Sequence, residues 1–193
     1  AGTNLMAEVI KVTGDKACVK VYESTRGKKK GDKVVFEGFM LEATLGPGLL
    51  SSSYDGLQNN LETMEGVFLK RGEYTAPLDD EKLWDFTPIA KVGDQVRASD
   101  WLGEVKEGWL PHKIMVPFAY EGEYVVKSIV EAGQYKINDT IAILTDENNE
   151  EKVVTMVQKW PVKVSVGGYV EKPRPSKIME TGVRCIDTLN PIA

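Results

Sequence analysis

Residues 91–126 read KVGDQVRASDWLGEVKEGWLPHKIMVPFAYEGEYVV, and their punctuation decides the fold. Gly93-Asp94 turns the chain into Gln95-Val96, Gly103 interrupts the run from Trp101 to Val105, and Gly108 to Pro111 make a tight hairpin region. His112 to Val116 then form an apolar strand stopped by Pro117, and Gly122 precedes the next run, Glu123 to Val126. Short runs bounded by glycine, proline and aspartate are strands, not helices. The rhythm continues through Gly133, Ile137, Asp139 and Ile141–Leu144, and returns in Val153–Val157. It predicts an all-β module, a barrel or sandwich of short strands.

Working towards the N-terminus, Val9–Val12, the turn Thr13-Gly14-Asp15-Lys16 and Ala17–Tyr22 read as two strands. Ala17, Val19 and Val21 share one face, the alternation of a half-buried strand, with Cys18 as a small half-buried thiol. Gly31-Asp32-Lys33 opens a third strand, Val34–Phe36, and together these suggest a small barrel. Leu45-Gly46-Pro47-Gly48-Leu49-Leu50 is a fixed turn. Asp55 as N-cap, with Leu57, Leu61 and Met64 at helical spacing, predicts one short amphipathic helix. The character changes near residues 66–76, where a domain boundary falls. Towards the C-terminus, Asp146–Glu151 is a polar hairpin tip, and Gly167-Gly168 with Lys172-Pro173-Arg174-Pro175 is a stiff extended linker. Val183, Ile186 and Leu189 predict a short helical segment stopped by Pro191.

Composition narrows the function. A chain of 193 residues with 42% hydrophobic and 27% charged residues can bury a core without staples. No apolar run approaches the roughly 20 residues needed to span a bilayer, and the first residues lack the pattern of a secretory signal. The net charge of −5 repels a phosphate backbone. The basic run Lys28-Lys29-Lys30, flanked by Gly27 and Gly31, has no interleaved aromatic and reads as a solvated hairpin tip. Cys18 and Cys185 make neither a metal spacing nor a disulfide framework, which suits a reducing compartment. His112 is the one histidine, so a His-rich metal site is excluded.

Candidate chemistry is sparse. A phosphate loop needs backbone N–H groups at a helix N-terminus, with Lys and Ser/Thr behind the last glycine. Gly27-Lys28-Lys29-Lys30-Gly31-Asp32-Lys33 has its glycines one residue too close and Asp32 where Lys belongs. His112 and Lys113 are strand neighbours that face opposite ways, so they cannot converge on one atom. Asp79-Asp80-Glu81 lacks the spacing of a calcium loop and reads as solvated. Trp84, Trp101, Trp109 and Trp160 lie beside apolar strand positions, where core or interface packing is expected.

Two resemblances follow. Gly93-Asp94, Gly103, Pro117, Gly122 and Val125 resemble the hammerhead of biotinyl and lipoyl carrier domains, but neither Lys106 nor Lys113 has the flanks or tip position of a carrier lysine. More of the chain resembles the catalytic A subunit of V-type and archaeal A-type rotary ATPases. The matching stretches are Val21–Thr25 with Gly31, Leu45–Leu50, Asp55–Gln58, Gly72 with Ala76–Asp79, His112–Pro117, Thr155-Met156 with Gln158–Val162, and Thr181-Gly182 with Arg184, Ile186–Leu189 and Pro191. Asn59-Asn60 and Asn190 depart from the family's usual residues.

This resemblance implies a mainly β chain. Residues 1–68 would be the C-terminal part of an N-terminal β-barrel, lacking its first strands, plus the short helix. Residues 69–162 would be a barrel-sandwich insertion, or bulge, and residues 163–193 a linker entering the nucleotide-binding domain. It implies that the phosphate-binding loop follows Ala193, so no catalytic, cofactor-binding or metal-ligating residue is expected in the chain. ATP or ADP and Mg²⁺ would serve the full-length subunit. The implied partners are B subunits of an alternating hexamer and the peripheral and central stalks, with no nucleic acid and no membrane insertion. The implied location is cytoplasmic, at the head of a membrane-bound ATPase coupling ATP turnover to H⁺ or Na⁺ transport. The rival readings are a biotinyl or lipoyl carrier and a stand-alone all-β binding module.

Overall fold

Alternating side chains between glycine and aspartate turns give strands, and the computed structural model, which describes residues 4–64, 66, 68, 70–167 and 176–192, is mainly β. Its strands are β1 (Ala7–Thr13), β2 (Lys16–Val21), β3 (Glu42–Leu45), β4 (Leu83–Pro88), β5 (Gln95–Arg97), β6 (Trp101–Glu107), β7 (Leu110–Met115), β8 (Glu123–Ile129), β9 (Gly133–Lys136), β10 (Ala142–Thr145), β11 (Glu151–Val154) and β12 (Gln158–Pro161). One helix follows among the described residues, α1 (Arg184–Leu189).

Two four-stranded antiparallel sheets, ordered β7-β6-β4-β9 and β11-β10-β8-β5, form the barrel-sandwich. Aspartates set its turns. Asp94, Asp100 and Asp139 each accept the backbone N–H three residues earlier, at 2.8 Å, the local side-chain bonding that favours turns over helix. Period-two alternation then fills the interior: Trp84 and Phe86 of β4 face inward, as do Tyr124 and Val126 of β8. One core cluster joins Trp84, Phe86, Val105, Ile114, Ile137 and Ile141, and a second joins Leu102, Val116, Val126 and Leu144. Gly103 is obligatory here, because a Cβ on it would lie 2.3 Å from the Phe86 ring and 2.8 Å from the Thr87 carbonyl.

The chain leaves the barrel-sandwich beside a strand of the segment that precedes it. β12 pairs antiparallel with β3, Gln158 opposite Leu45 and Trp160 opposite Ala43. Beside them the fixed turn predicted at Leu45–Leu50 is packed tightly, with Pro47 fully buried.

Several expectations fail, each for a local reason. The helix predicted from Asp55 to Met64 is absent. The Asp55 carboxylate instead accepts the N–H groups of Leu57 and Asn59 and the Asn59 side-chain amide. Gln58 takes a positive φ of 62° and Tyr54 bridges Asn60. An aspartate that folds the chain back on itself outcompetes the helix. β1 and β2 form, but as a two-stranded ribbon that is exposed on both faces. Ala17, Val19 and Cys18 are therefore exposed instead of half-buried, since a ribbon without a covering layer has no interior. Val34–Phe36 pairs with no strand among the described residues and lies exposed. Of the tryptophans expected in a core or an interface, Trp84 is buried and Trp160 half-buried, while Trp101 and Trp109 are exposed, which excludes the core and leaves the interface expectation for those two. Of the predicted linker, residues 168 and 172–175 lie outside the described residues. The C-terminal helix does form. The Asp187 carboxylate accepts from the Thr181 hydroxyl and from the N–H groups of Thr181 and Gly182, which holds its pKa below the usual carboxylate range.

Candidate functional site

The chemistry-bearing residues singled out in the sequence do not converge. Lys28–Lys30 lie exposed in the turn-rich stretch after the ribbon. In the acidic run, Asp80 accepts from the Asn138 amide and Glu81 pairs with Lys136. Among the described residues no group of three or more His, Cys, Asp or Glu side chains is arranged to hold a metal ion. Lys113 pairs with Glu104 and places its ammonium 4.9 Å from the centroid of the Trp101 ring. Lys106 sits one residue before Glu107, and the tip beyond consists of Gly108 and Trp109.

The geometry concentrates at the junction between the barrel-sandwich and the segments flanking it. Its centre is Glu107, a carboxylate only 5% exposed at the end of β6. One oxygen accepts the N–H of Gly48 at 2.6 Å and of Leu50 at 3.0 Å. The other lies 2.7 Å from Nδ1 of His112 on β7. A hairpin of the sandwich thus grips the turn after β3 through one buried side-chain oxygen that accepts two backbone N–H groups. His112 orients that carboxylate. The sequence does carry a signal for it: Val105 and Glu107 share a face of β6, so a glutamate stands where the alternation places a core residue.

Side-chain amides continue the junction. Gln58 donates to the Thr44 carbonyl and accepts the Thr44 N–H, both at 2.7 Å, and so pairs with β3 as a third strand would. Gln158 accepts the N–H of Phe118 at 2.9 Å, and the Phe118 ring meets Trp160 edge-on with centroids 5.6 Å apart. Asn59, buried, accepts the N–H of Thr75. Burial pushes the Asp55 carboxyl up, but hydrogen bonds from the Asn59 side chain and from the Asn59 and Leu57 N–H groups outweigh it and hold the pKa below the ordinary range.

The ribbon is tied down by polar links, among them the Gly72 N–H donating to Glu23 at 2.7 Å. Glu8 on β1 accepts from Lys163 at 2.7 Å and from the Tyr22 hydroxyl at 2.8 Å, and both bonds lower its pKa, Lys163 first. The Tyr74 hydroxyl donates to Glu23 at 2.5 Å and accepts the Met6 N–H at 2.8 Å. Burial, then the Glu23 contact, raises the Tyr74 pKa. The arrangement holds β-modules in register.

Two family profiles match. The one described as ATPsynthase alpha/beta subunit barrel-sandwich domain covers residues 75–163, and the one described as ATP synthase alpha/beta family, beta-barrel domain, covers residues 1–38. Over all of its length the chain is 44% identical to a V-type ATP synthase alpha chain of Borrelia garinii subsp. bavariensis, of which it covers 34%. Over 97% of its length it is 45% identical to the alpha chain of Protochlamydia amoebophila, covering 32% of it. Over 98% it is 45% identical to that of Treponema denticola, covering 33%. The chain therefore spans about a third of the length of these relatives.

Proposed function

The chain belongs to the ATP synthase alpha/beta family, and from that membership we propose that it is the scaffold part of the catalytic subunit of a rotary V-type ATPase. In that reading the whole subunit couples ATP hydrolysis or synthesis to H⁺ or Na⁺ transport, using Mg²⁺ and nucleotide held by the two thirds of the protein that this chain does not span. Residues 1–68 serve the N-terminal barrel layer, residues 69–162 form the projecting barrel-sandwich, and residues 163–193 lead into the nucleotide-binding domain. The partners are the B subunits of an alternating hexamer and the stalk subunits. The location is the cytoplasmic face of a membrane; among the described residues no helix is long and apolar enough to cross one.

The observation that carries this reading is the match of the whole chain to V-type alpha chains together with the closed β3–β12 junction. A module whose entry and exit strands are hydrogen-bonded neighbours projects from its parent protein without interrupting it. The junction is built from buried acceptors and amides, the materials of rigid positioning. The test is deletion of residues 75–157 from the full-length protein, with a short glycine-serine linker joining Tyr74 to Gln158. Nucleotide binding is expected to persist while assembly with the stalk subunits fails. A deletion variant that assembles and pumps normally, or an isolated chain of these 193 residues that hydrolyses ATP, overturns the proposal.

A further inference from the structure

A cleft of about 410 Å³ opens at the tip of the β6–β7 hairpin, walled by Leu50, Lys82, Leu83, Asp85, Lys106 and Trp109. Trp109 is 86% exposed, and Leu83 and Leu50 are exposed beside it. The indole does not hang from a loose loop. Glu107 and Leu110 are register partners, so only Gly108 and Trp109 form the tip, and Glu107 anchors its base. A large aromatic held out in the open by a braced hairpin has the form of an interface anchor.

Charge says what kind of partner fits. The two carboxylates that line the cleft are already engaged within the chain. Glu107 is used by Gly48, Leu50 and His112, and Asp85 accepts from the Gln134 amide at 3.0 Å. The donors are not. Lys82 and Lys106 have no ion-pair partner among the described residues. The Lys82 ammonium rests 4.2 Å from the centroid of the Trp84 ring, and the indole N–H of Trp84, which also lines the cleft, is buried with no acceptor. A surface with surplus donors and an apolar anchor is complementary to acceptors that bring an apolar group with them. In a chain of net charge −5, two uncommitted lysines also localise where an acidic partner can approach.

We propose that this cleft is the docking site of an acidic segment of a partner protein, which sets carboxylates on Lys82 and Lys106 and an apolar side chain against Trp109. The proposal rests on the reading of the barrel-sandwich as an assembly module and names the chemistry of its contact.

The probe is a synthetic amphipathic helical peptide with leucines on one face and glutamates on the other, compared with its lysine counterpart. Binding to the chain is followed by the fluorescence anisotropy of a dye carried on the peptide. The glutamate peptide is expected to bind at least tenfold more tightly, with the preference reversed in a Lys82→Glu/Lys106→Glu variant and binding lost in Trp109→Ala. Circular dichroism melts establish that both variants fold. Equal binding of the two peptides, a preference that survives charge reversal, or anisotropy changes that instead follow self-association of the chain would each overturn the proposal. This assay does not depend on assembly of the complex, so the docking site and the scaffold reading can fail separately.

Discussion

Glu107 and His112 stand 2.7 Å apart across the base of the β6–β7 hairpin, and the same carboxylate holds two backbone N–H groups of the turn after β3. Two backbone N–H groups and one imidazole nitrogen converge on one buried acid. Their combined effect fixes how the barrel-sandwich meets the segment before it.

Replacing Glu107 by alanine leaves the N–H groups of Gly48 and Leu50 without their acceptor and is expected to cost about 3 kcal/mol. Glu107→Gln keeps one acceptor oxygen and is expected to cost about 1 kcal/mol. Urea melts of the two variants check the order. Equal losses would mean that packing, not the hydrogen bonds, governs the site.

Gly103→Ala puts a methyl group 2.3 Å from the Phe86 ring and is expected to destabilise by about 2–3 kcal/mol through overpacking. Adding Phe86→Leu makes room, so the double variant is expected to lose less than the sum of the singles. A double-mutant cycle read by thermal unfolding measures that coupling.

Asp55 supplies an acid-sensitive link. Its folded pKa lies below the ordinary carboxylate value, so the unfolded chain binds this proton more readily. The stabilisation is complete above the unfolded pKa of about 4 and is lost as pH falls through the folded value. Asp55→Asn is expected to lower the melting temperature at pH 7 and to flatten its decline below about pH 4. An unchanged acid limb would assign that sensitivity elsewhere.

Tyr74→Phe removes the acceptor of the Met6 N–H and the donor to Glu23. The expected result is a faster amide exchange at Met6 with the sandwich amides unchanged, and a global loss of no more than about 1 kcal/mol. Exchange measured by NMR reads both.

The sandwich was legible because its information is local. Asp94, Asp100 and Asp139 announce turns by their own side chains, and the alternation in β4 and β8 has period two whatever the sheets do next. The failures share a physical cause. Leu57, Leu61 and Met64 have helical spacing, but Asp55, Gln58 and Asn59 each find a backbone partner that defeats the helix, and two of those partners, Thr44 and Thr75, lie distant in sequence. Cys18 and Val19 alternate correctly in a strand, yet burial depends on a second layer that alternation cannot report. Glu107 was missed because a carboxylate in the core is meaningful only once its three partners are known. The family was legible from short ordered matches, each weak alone, whose order along the chain carries the information.

Leu45 and Gln158 are register partners, so everything from Gly46 to Val157 returns the chain to within one strand spacing of where it left. In terms of path, the barrel-sandwich is a detour of no net length. The β3–β12 pairing sets how close the residues before and after it lie, whatever the length of the path between them. Such an appendage is free to change its outer surface, the exposed Trp109 included, without re-aiming anything the chain builds on either side.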